Sequence, residues 1–197
     1  MIRTAIIIGS SRPGRLCPSV AYWLHRLAEQ RGDALYDVVD VADFNLPHLD
    51  EPVPAAMGPN YTHDHTRTWS STIASYDAYV IVTPEYNHSI PGVLKDAIDY
   101  LYTEWHDKAI GFVGYGLAGG TRAVEHLRCI AGELQLADVR AQVGLSLFTD
   151  FTDRVQCTPA EHHEATATTM LDQVTGWATA LQALRQNKIQ TRDTVTA

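Results

Sequence analysis

Short apolar runs alternate along the chain with segments of helical periodicity, and this alternation limits the fold more than any other feature. The runs at residues 4–8, 78–82 and 110–113 are rich in apolar and β-branched residues, as expected of strands buried on both faces. Further strands are predicted at residues 36–41 and 143–147. Because crossovers between parallel strands are right-handed, these five strand–helix repeats predict a five-stranded parallel sheet with helices on both faces.

The helices are predicted from apolar residues that recur every three or four positions. The first helix is indicated by Val20, Leu24, Leu27 and Ala28. The later helical segments are residues 66–75, 93–102, 123–136 and 164–184. Residues 43–63 are rich in Pro, Asp and Asn and show no sustained period, so they are expected to form a long surface excursion, which in a compact domain is usually functional.

Length and charge predict one domain, residues 1–197, in the cytoplasm. A chain of 197 residues that is 45% hydrophobic forms one α/β core and leaves no room for a second domain of ordinary size. The formal net charge of −8 argues against nucleic acid and anionic lipid as partners, because both require clustered Lys and Arg. Residues 1–10 enter a strand without a charged and then apolar leader, and no run is long enough to span a membrane.

The loop at residues 9–15, after the first strand, combines glycine, serine and two arginines at the start of a helix. Glycines allow tight turns, and hydroxyls and backbone N–H groups at a helix N-terminus bind anions. Arg12 and Arg15 add charge-assisted donors in an otherwise acidic chain. Ligands of parallel α/β sheets lie beyond the carboxyl ends of the strands, so this loop is interpreted as a phosphate site, with a helix-capping turn as the alternative.

A second loop follows the strand at residues 78–82. Pro84 restricts the residue before it to extended geometry, which leaves Glu85, Tyr86 and Asn87 facing the crevice. The pyrimidine edge of a flavin alternates hydrogen-bond donors and acceptors, and such a segment can bind it. A rigid strand-to-helix turn without a ligand is the alternative.

The third loop, residues 114–120, matches the GxGxxG pattern of dinucleotide sites. Asp138, Asp150 or Asp153 could supply the ribose carboxylate of such a site. That pattern normally lies in the first strand–helix turn with several strands after it, whereas only about one strand follows here. The glycines are therefore interpreted as allowing close backbone approach to a flat ring, and a Rossmann-type dehydrogenase is the rival prediction.

Four segments resemble the NADPH-dependent FMN reductase family, which includes quinone, azo-dye and chromate reductases. They are Gly-Ser-Ser-Arg at 9–12, Pro-Glu-Tyr-Asn-His-Ser-Ile-Pro-Gly at 84–92, Lys-Asp-Ala-Ile-Asp-Tyr at 95–100 and Gly-Gly-Thr-Arg-Ala at 119–123. The Pro-Glu-Tyr-Asn segment is the most specific of these. The resemblance implies a flavodoxin-like fold, bound FMN, NADPH or NADH as the electron donor, a small electron acceptor, and a homodimer or homotetramer.

The resemblance also implies which residues bind FMN. Its phosphate would be held by the first loop and the helix that follows: Ser10, Arg12, Arg15 and Ser19. Its isoalloxazine ring would be lined by the second and third loops: Pro84, Glu85, Tyr86, Asn87, Tyr115, Gly116 and Gly119. The chain departs from the family at Gly114, where many relatives carry a hydroxyl residue, and at Cys17 and Pro18, which replace polar residues.

The expected activity is the transfer of two electrons from NAD(P)H through FMN to a quinone, a free flavin, an azo compound or an oxidised metal anion. The cofactor carries the chemistry of hydride transfer, so no catalytic acid or base is predicted in the protein. Tyr86 and His88 are expected nearest the open face of the flavin. The rival function is a flavodoxin-type electron carrier, although flavodoxins have a Thr/Ser-rich phosphate loop without the two arginines found here.

Three further features of the sequence bear on metal binding, cysteine state and assembly. His63 and His65 flank Asp64, and a His-His-Glu run occupies residues 162–164, but structural zinc sites usually include Cys, so no metal is predicted. The cysteines are far apart and form no CxxC motif, so reduced thiols are expected: Cys17, Cys129 and Cys157. Residues 93–105 carry more large apolar side chains than one buried face requires and are predicted to lie in a subunit interface: Leu94, Ile98, Tyr100, Leu101, Tyr102 and Trp105.

Overall fold

The computed structural model describes residues 1–195, with side chains through residue 188; the last two residues of the predicted domain lie outside this part. Strands and helices alternate along the chain as predicted. The strands are β1 (Arg3–Ile8), β2 (Leu35–Asp40), β3 (Ala78–Pro84), β4 (Lys108–Gly116), β5 (Leu136–Ser146), β6 (Phe151–Thr152) and β7 (Gln156–Cys157). The helices are α1 (Cys17–Glu29), α2 (Asp64–Ala74), α3 (Gly92–Asp99), α4 (Thr121–Glu133) and α5 (Glu161–Val195).

Strands β1 to β5 form one sheet in the order β2-β1-β3-β4-β5, and every pairing in it is parallel. The chain adds β2 on one side of β1 and then crosses to add β3 on the other, so the strand order reverses between β1 and β3. This is the flavodoxin-like order, in which ligands bind at the reversal point. The predicted three-layer α/β fold is confirmed. The short β6–β7 hairpin, which follows β5, was not predicted.

Helices cover both faces of the sheet and form two apolar cores. On one face, Leu24 of α1 and Met170 and Val174 of α5 are buried against the strands. On the other face, α2, α3 and α4 contribute Trp69, Ile98 and Leu127. Strand β3 is buried along its whole length, which explains why its sequence is a nearly continuous apolar run.

Helix α3 ends at Asp99, earlier than predicted, and the aromatic residues after it fold into the core of their own chain. Tyr100, Leu101 and Trp105 are at most 1% exposed. The ring of Trp105 packs edge-on against Tyr79, with 4.9 Å between ring centroids. The large apolar side chains of residues 93–105 therefore pack within one chain, and they no longer support the prediction of an interface in this segment.

The long excursion after β2 contains two short 3-10 helices, Val41–Phe44 and Ala55–Met57. Tyr100 Oη donates to Asp50 Oδ1 at 2.8 Å, which fixes the excursion to the end of α3. Within residues 1–195, no helix combines the length and the apolar character needed to cross a bilayer.

Candidate active site

Three loops meet at the carboxyl edge of the sheet, beside the reversal of strand order. After β1, the backbone N–H of Gly9 donates to Val82 O in β3 at 2.9 Å. After β3, the backbone N–H of Glu85 donates to Tyr115 O in β4 at 3.1 Å. These bonds join the three loops that the sequence singled out, at the place where parallel α/β sheets bind ligands.

The side-chain hydroxyl of Ser10, in the first loop, lies next to Cys17 and Tyr115. The residue is fully buried, and Oγ makes no hydrogen bond of acceptable geometry with any described residue. A buried hydroxyl in this state costs free energy unless a ligand completes its hydrogen bonding. Helix α1, which follows the loop, also lacks a side-chain cap at its start. The loop therefore has donors available for a polar ligand.

The two arginines of this loop have different surroundings. Arg15 forms an ion pair with Asp40 at the end of β2, with 2.5 Å between Nη2 and Oδ2. Arg12 is exposed, and its Nε lies 3.4 Å from Tyr86 Oη in the second loop. Among the described residues Arg12 forms no ion pair, so its guanidinium is free to bind an anion, whereas the charge of Arg15 is neutralised by Asp40.

The second loop contains a tight turn at residues 86–89. The backbone N–H of Tyr86 donates to Ser89 O at 2.9 Å, and the N–H of Ser89 donates to Tyr86 O at 3.1 Å. Asn87 and His88 are exposed and have φ angles of 48° and 76°, a region that residues other than glycine rarely adopt. Strained backbone of this kind is concentrated at ligand sites, where the surrounding structure maintains it.

The Glu85 side chain contacts the start of α4. Its Oε2 accepts a hydrogen bond from the backbone N–H of Arg122 at 3.1 Å, and its carboxylate forms an ion pair with the Arg122 guanidinium. Burial raises the pKa of Glu85, but the hydrogen bonds and the charge of Arg122 outweigh it and hold this pKa below its usual value. The side chain of Glu85 thus connects the second loop to the end of the third. Only its backbone groups remain available for the predicted contact with the ring.

The glycines of the third loop allow the chain to fold back tightly on β4. A Cβ on Gly120 would lie 2.5 Å from Tyr115 N, and a Cβ on Gly114 would lie 2.9 Å from Gly119 O. The missing hydroxyl at Gly114 therefore has a packing cause in this chain. Because the loop follows β4 and not the first strand, it does not occupy the position of a Rossmann dinucleotide site.

Two other predicted site residues, Ser19 and Tyr115, and the neighbouring Cys17 make contacts inside the protein. Ser19 Oγ accepts a hydrogen bond from the backbone N–H of Cys157 at 2.7 Å, which joins α1 to the β6–β7 hairpin. Tyr115 is 5% exposed and packs against Phe151, with 5.8 Å between ring centroids. Cys17 Sγ lies 3.1 Å from Val82 O, and burial raises the pKa of Cys17 to about 11. Cys17 is therefore a neutral thiol near pH 7.

The profile of the family described as NADPH-dependent FMN reductase matches residues 2–150 of this chain. The chain belongs to this family. It is therefore an oxidoreductase with FMN and NAD(P)H as its cofactors. The resemblance is confirmed, and the rival Rossmann dehydrogenase is excluded by the family and by the position of the third loop.

Similar proteins support this membership in the FMN reductase family. An NAD(P)H-dependent FMN reductase of Schizosaccharomyces pombe is 39% identical over 146 residues, which cover 74% of this chain and 73% of that protein. A quinone reductase of Escherichia coli is 30% identical over 138 residues, 66% of this chain and 69% of that protein. In fold, the chain is similar to FerB, a flavoenzyme NAD(P)H:(acceptor) oxidoreductase from Paracoccus denitrificans, with a TM-score of 0.71, 22% identity and coverage of 91% and 98% of the two chains.

The site of this FMN reductase family member fits its cofactor. The Ser10 hydroxyl, which makes no hydrogen bond of acceptable geometry, and the Arg12 guanidinium, which forms no ion pair among the described residues, are donors suited to a phosphate. Gly116 lies next to Glu85, just before the turn at residues 86–89, and a Cβ there would make only ordinary contacts. Two residues that shape the site, Asp40 and Arg122, were not singled out from the sequence. Arg122 lies in the familial Gly-Gly-Thr-Arg-Ala segment, and Asp40 ends the second strand, but neither position reveals its partner.

The histidines considered as metal ligands each contact one carboxylate: His63 and His65 contact Asp50, and His163 contacts Asp150. His65 Nε2 lies 3.1 Å from Asp50 Oδ1, and the rings of His63 and His65 stack with 5.2 Å between centroids. His163 Nε2 lies 3.1 Å from the buried carboxylate of Asp150. In the described part of the chain, no three His, Cys, Asp or Glu side chains are grouped as metal ligands.

Proposed function

We propose that this family member transfers two electrons from NAD(P)H, through FMN, to a small acceptor of the quinone class. The observation that carries the proposal is the first loop, where a buried hydroxyl without a hydrogen bond of acceptable geometry and a guanidinium without an ion pair lie beside the reversal of strand order. In this proposal Ser10, Arg12 and the loop amides bind the FMN phosphate. The loop thereby selects a phosphorylated flavin over an unphosphorylated one.

The second and third loops are assigned to the isoalloxazine ring. Pro84 ends β3, and the backbone of Glu85, Tyr86 and Asn87 supplies donors and acceptors for the polar edge of the ring. The Glu85–Arg122 pair holds this backbone in place relative to the third loop, where Gly116 is assigned to the edge of the ring and Gly119 packs against Gly144 of β5. When bound, FMN supplies a hydride acceptor at its N5 atom, and the protein binds and orients it.

Exposed apolar side chains near the third loop support a flat, apolar acceptor. Leu117 and Phe148 are 70% and 69% exposed. The backbone N–H of Leu147 donates to Gly116 O at 3.2 Å, which places the loops that carry these side chains next to each other. Aromatic and aliphatic side chains bind flat rings by apolar contact. The E. coli relative, named a quinone reductase, supports the same acceptor class.

Steady-state oxidation of NADPH and NADH over an acceptor panel tests this proposal. The panel contains a benzoquinone, free FMN, an azo dye and chromate, and we expect the quinone to give the highest kcat/KM. Phe148→Ala should raise the KM for the quinone, whereas Val155→Ala, which alters a side chain that is 68% exposed in the β6–β7 hairpin, should not. A higher kcat/KM for another acceptor, with Phe148→Ala silent, would contradict the quinone assignment.

We also propose a cytoplasmic homodimer or homotetramer, as the family resemblance implies. With the aromatic residues after α3 buried in their own chain, this proposal now rests on the resemblance alone. Light scattering at micromolar concentration tests the oligomeric state, and a particle of 21.8 kDa, the mass of one chain, would contradict a dimer or tetramer.

A further inference from the structure

The carboxylate of Asp40, at the end of β2, accepts three hydrogen bonds. Its Oδ1 accepts from Arg15 Nη1 at 2.9 Å and from the backbone N–H of Ala42 at 3.0 Å, and its Oδ2 accepts from Arg15 Nη2 at 2.5 Å. The side chains of Arg15 and Asp40 are only 18% and 17% exposed. This is the two-donor, two-acceptor geometry that makes Arg–carboxylate pairs directional.

The pair lies directly beside the first loop. Asp40, the last residue of β2, is the register partner of Ile8, the last residue of β1. Arg15, at the far end of the loop, donates through Nη1 to the carbonyl oxygen of Ser10 at the near end. The backbone N–H of Arg15 also donates to Arg12 O at 3.1 Å. Asp40 and Arg15 thus connect both ends of the loop to the neighbouring strand.

The negative charge of Asp40 is unexpected beside a loop that is proposed to bind a phosphate. A carboxylate close to a phosphate-binding loop repels the phosphate, so its presence there requires a compensating role. Asp40 neutralises Arg15 and leaves Arg12 as the loop cation without an ion pair among the described residues. The bidentate contact also prevents Arg15 from turning toward a ligand without losing two hydrogen bonds.

We propose that Asp40, acting through Arg15, is a positioning residue that holds the first loop in the shape that binds the FMN phosphate. The inference rests on the proposed function, in which Ser10, Arg12 and the loop amides bind that phosphate. Asp40 touches neither FMN nor substrate. It fixes Arg15, and Arg15 fixes the Ser10 backbone, so that the Ser10 hydroxyl is placed for the ligand before FMN arrives.

Titration of the full chain with FMN and with riboflavin, followed by flavin fluorescence, tests this role. Asp40→Ala should weaken FMN binding about tenfold, the equivalent of about 1.4 kcal/mol, while riboflavin, which has no phosphate, should change by much less. Asp37→Ala is the matched control. It removes a carboxylate of the same strand that pairs with Arg3 at 3.0 Å, with side chains 46% and 42% exposed, and such exposed pairs contribute little.

A double-mutant cycle tests whether Asp40 acts through Arg15. The variant with both Asp40→Ala and Arg15→Ala should bind FMN no more weakly than Arg15→Ala alone, because both changes break one interaction. Asp40→Glu should restore part of the preference for FMN over riboflavin. Should Asp40→Ala fail to fold, Asp40→Asn, which keeps the size of the side chain, is measured in the same way.

Several results would overturn the inference. Equal losses for FMN and riboflavin would show general damage to the fold, and an unchanged FMN-to-riboflavin ratio would show that Asp40 does not act on the phosphate site. Tighter FMN binding by Asp40→Ala would show that Asp40 restrains a phosphate ligand, Arg15, instead of positioning the loop. Equal binding of FMN and riboflavin by the wild type would instead refute the proposed phosphate loop itself, and the role of Asp40 with it.

Discussion

The carboxylate of Glu85 accepts a hydrogen bond from the backbone N–H of Arg122 at 3.1 Å and forms an ion pair with the Arg122 side chain, 37 positions further along the chain. A carboxylate at a helix N-terminus is also favoured by the helix dipole. This contact joins the loop after β3 to the start of α4. Two sides of the candidate flavin site are therefore held together by one acidic residue whose side chain is largely buried.

Glu85→Gln keeps the size of the side chain and removes its charge. Because the pKa of Glu85 in the folded protein is below its usual value of 4.5, the carboxylate stabilises the fold above that pH and loses this contribution as the pH falls through the folded-state pKa. We expect Glu85→Gln to lower the free energy of unfolding by roughly 1.5–3 kcal/mol at pH 7. Urea unfolding at fixed FMN concentration should show the difference shrinking in acid, and a difference independent of pH would argue against the ion pair.

Arg12→Ala removes the unpaired guanidinium of the first loop. Charge-assisted hydrogen bonds contribute about 1.5–3 kcal/mol each, so FMN affinity should fall about tenfold to a hundredfold, with riboflavin affinity unchanged. Flavin titration measures both affinities. Arg12→Lys should recover only part of the loss, because an ammonium keeps the charge without the planar two-donor fork. If FMN binds the alanine variant as tightly as the wild type, the phosphate lies elsewhere.

Gly120→Ala tests the tight packing of the third loop. The new Cβ would lie 2.5 Å from Tyr115 N at a φ of +68°, so we expect a loss of about 2 kcal/mol or more in the free energy of unfolding. Gly132→Ala in α4 is the control, since its Cβ would have no atom within 4 Å, and a gain of up to about 1 kcal/mol is expected there. Equal effects of the two substitutions in urea unfolding would refute the close backbone approach.

Lys108 gives a pH-dependent prediction away from the site. Its Nζ donates to Tyr79 Oη at 2.8 Å and to Ile73 O at 3.1 Å, and burial, together with the nearby charge of Arg185, lowers the pKa of Lys108 from 10.5 to about 7. Between those pH values the folded protein binds fewer protons than the unfolded chain, so its free energy of unfolding should rise with pH.

The slope expected from Lys108 is at most about 1.4 kcal/mol for each pH unit. Lys108→Met should lack this component. The free energy of unfolding of each protein is therefore measured in urea at several pH values between 7 and 10, and the difference between the two free energies isolates the contribution of the lysine. A difference between the two proteins that stays constant over this range would show that the Lys108 amine is not neutralised by burial.

The order of the elements and the meeting of the three loops were predictable because central strands are buried on both faces. All residues of β3 are buried, and its sequence is correspondingly apolar. The loops after β1, β3 and β4 then had to lie at one edge of the sheet. The first half of β5, residues 136–142, was not recognised, because this edge strand is partly exposed and carries polar residues such as Asp138 and Arg140.

The contacts that shape the site were not predictable from local pattern. Arg15 and Asp40 are 25 positions apart, and the sequence showed two arginines in the first loop without showing that one is neutralised. The prediction of an interface at the aromatic residues after α3 lost its basis for a similar reason. Helical periodicity was assumed beyond Asp99, where the helix ends and the chain turns Tyr100 and Trp105 into the core.

The central claim, that bound FMN passes electrons from a nicotinamide to a small acceptor, is tested most directly by anaerobic rapid mixing of the FMN-loaded protein. The account predicts that NADPH or NADH bleaches the flavin absorbance and that a quinone then restores it, at rates that match steady-state turnover. A flavin that is bleached by dithionite but by neither nicotinamide would contradict the account and would indicate an electron carrier.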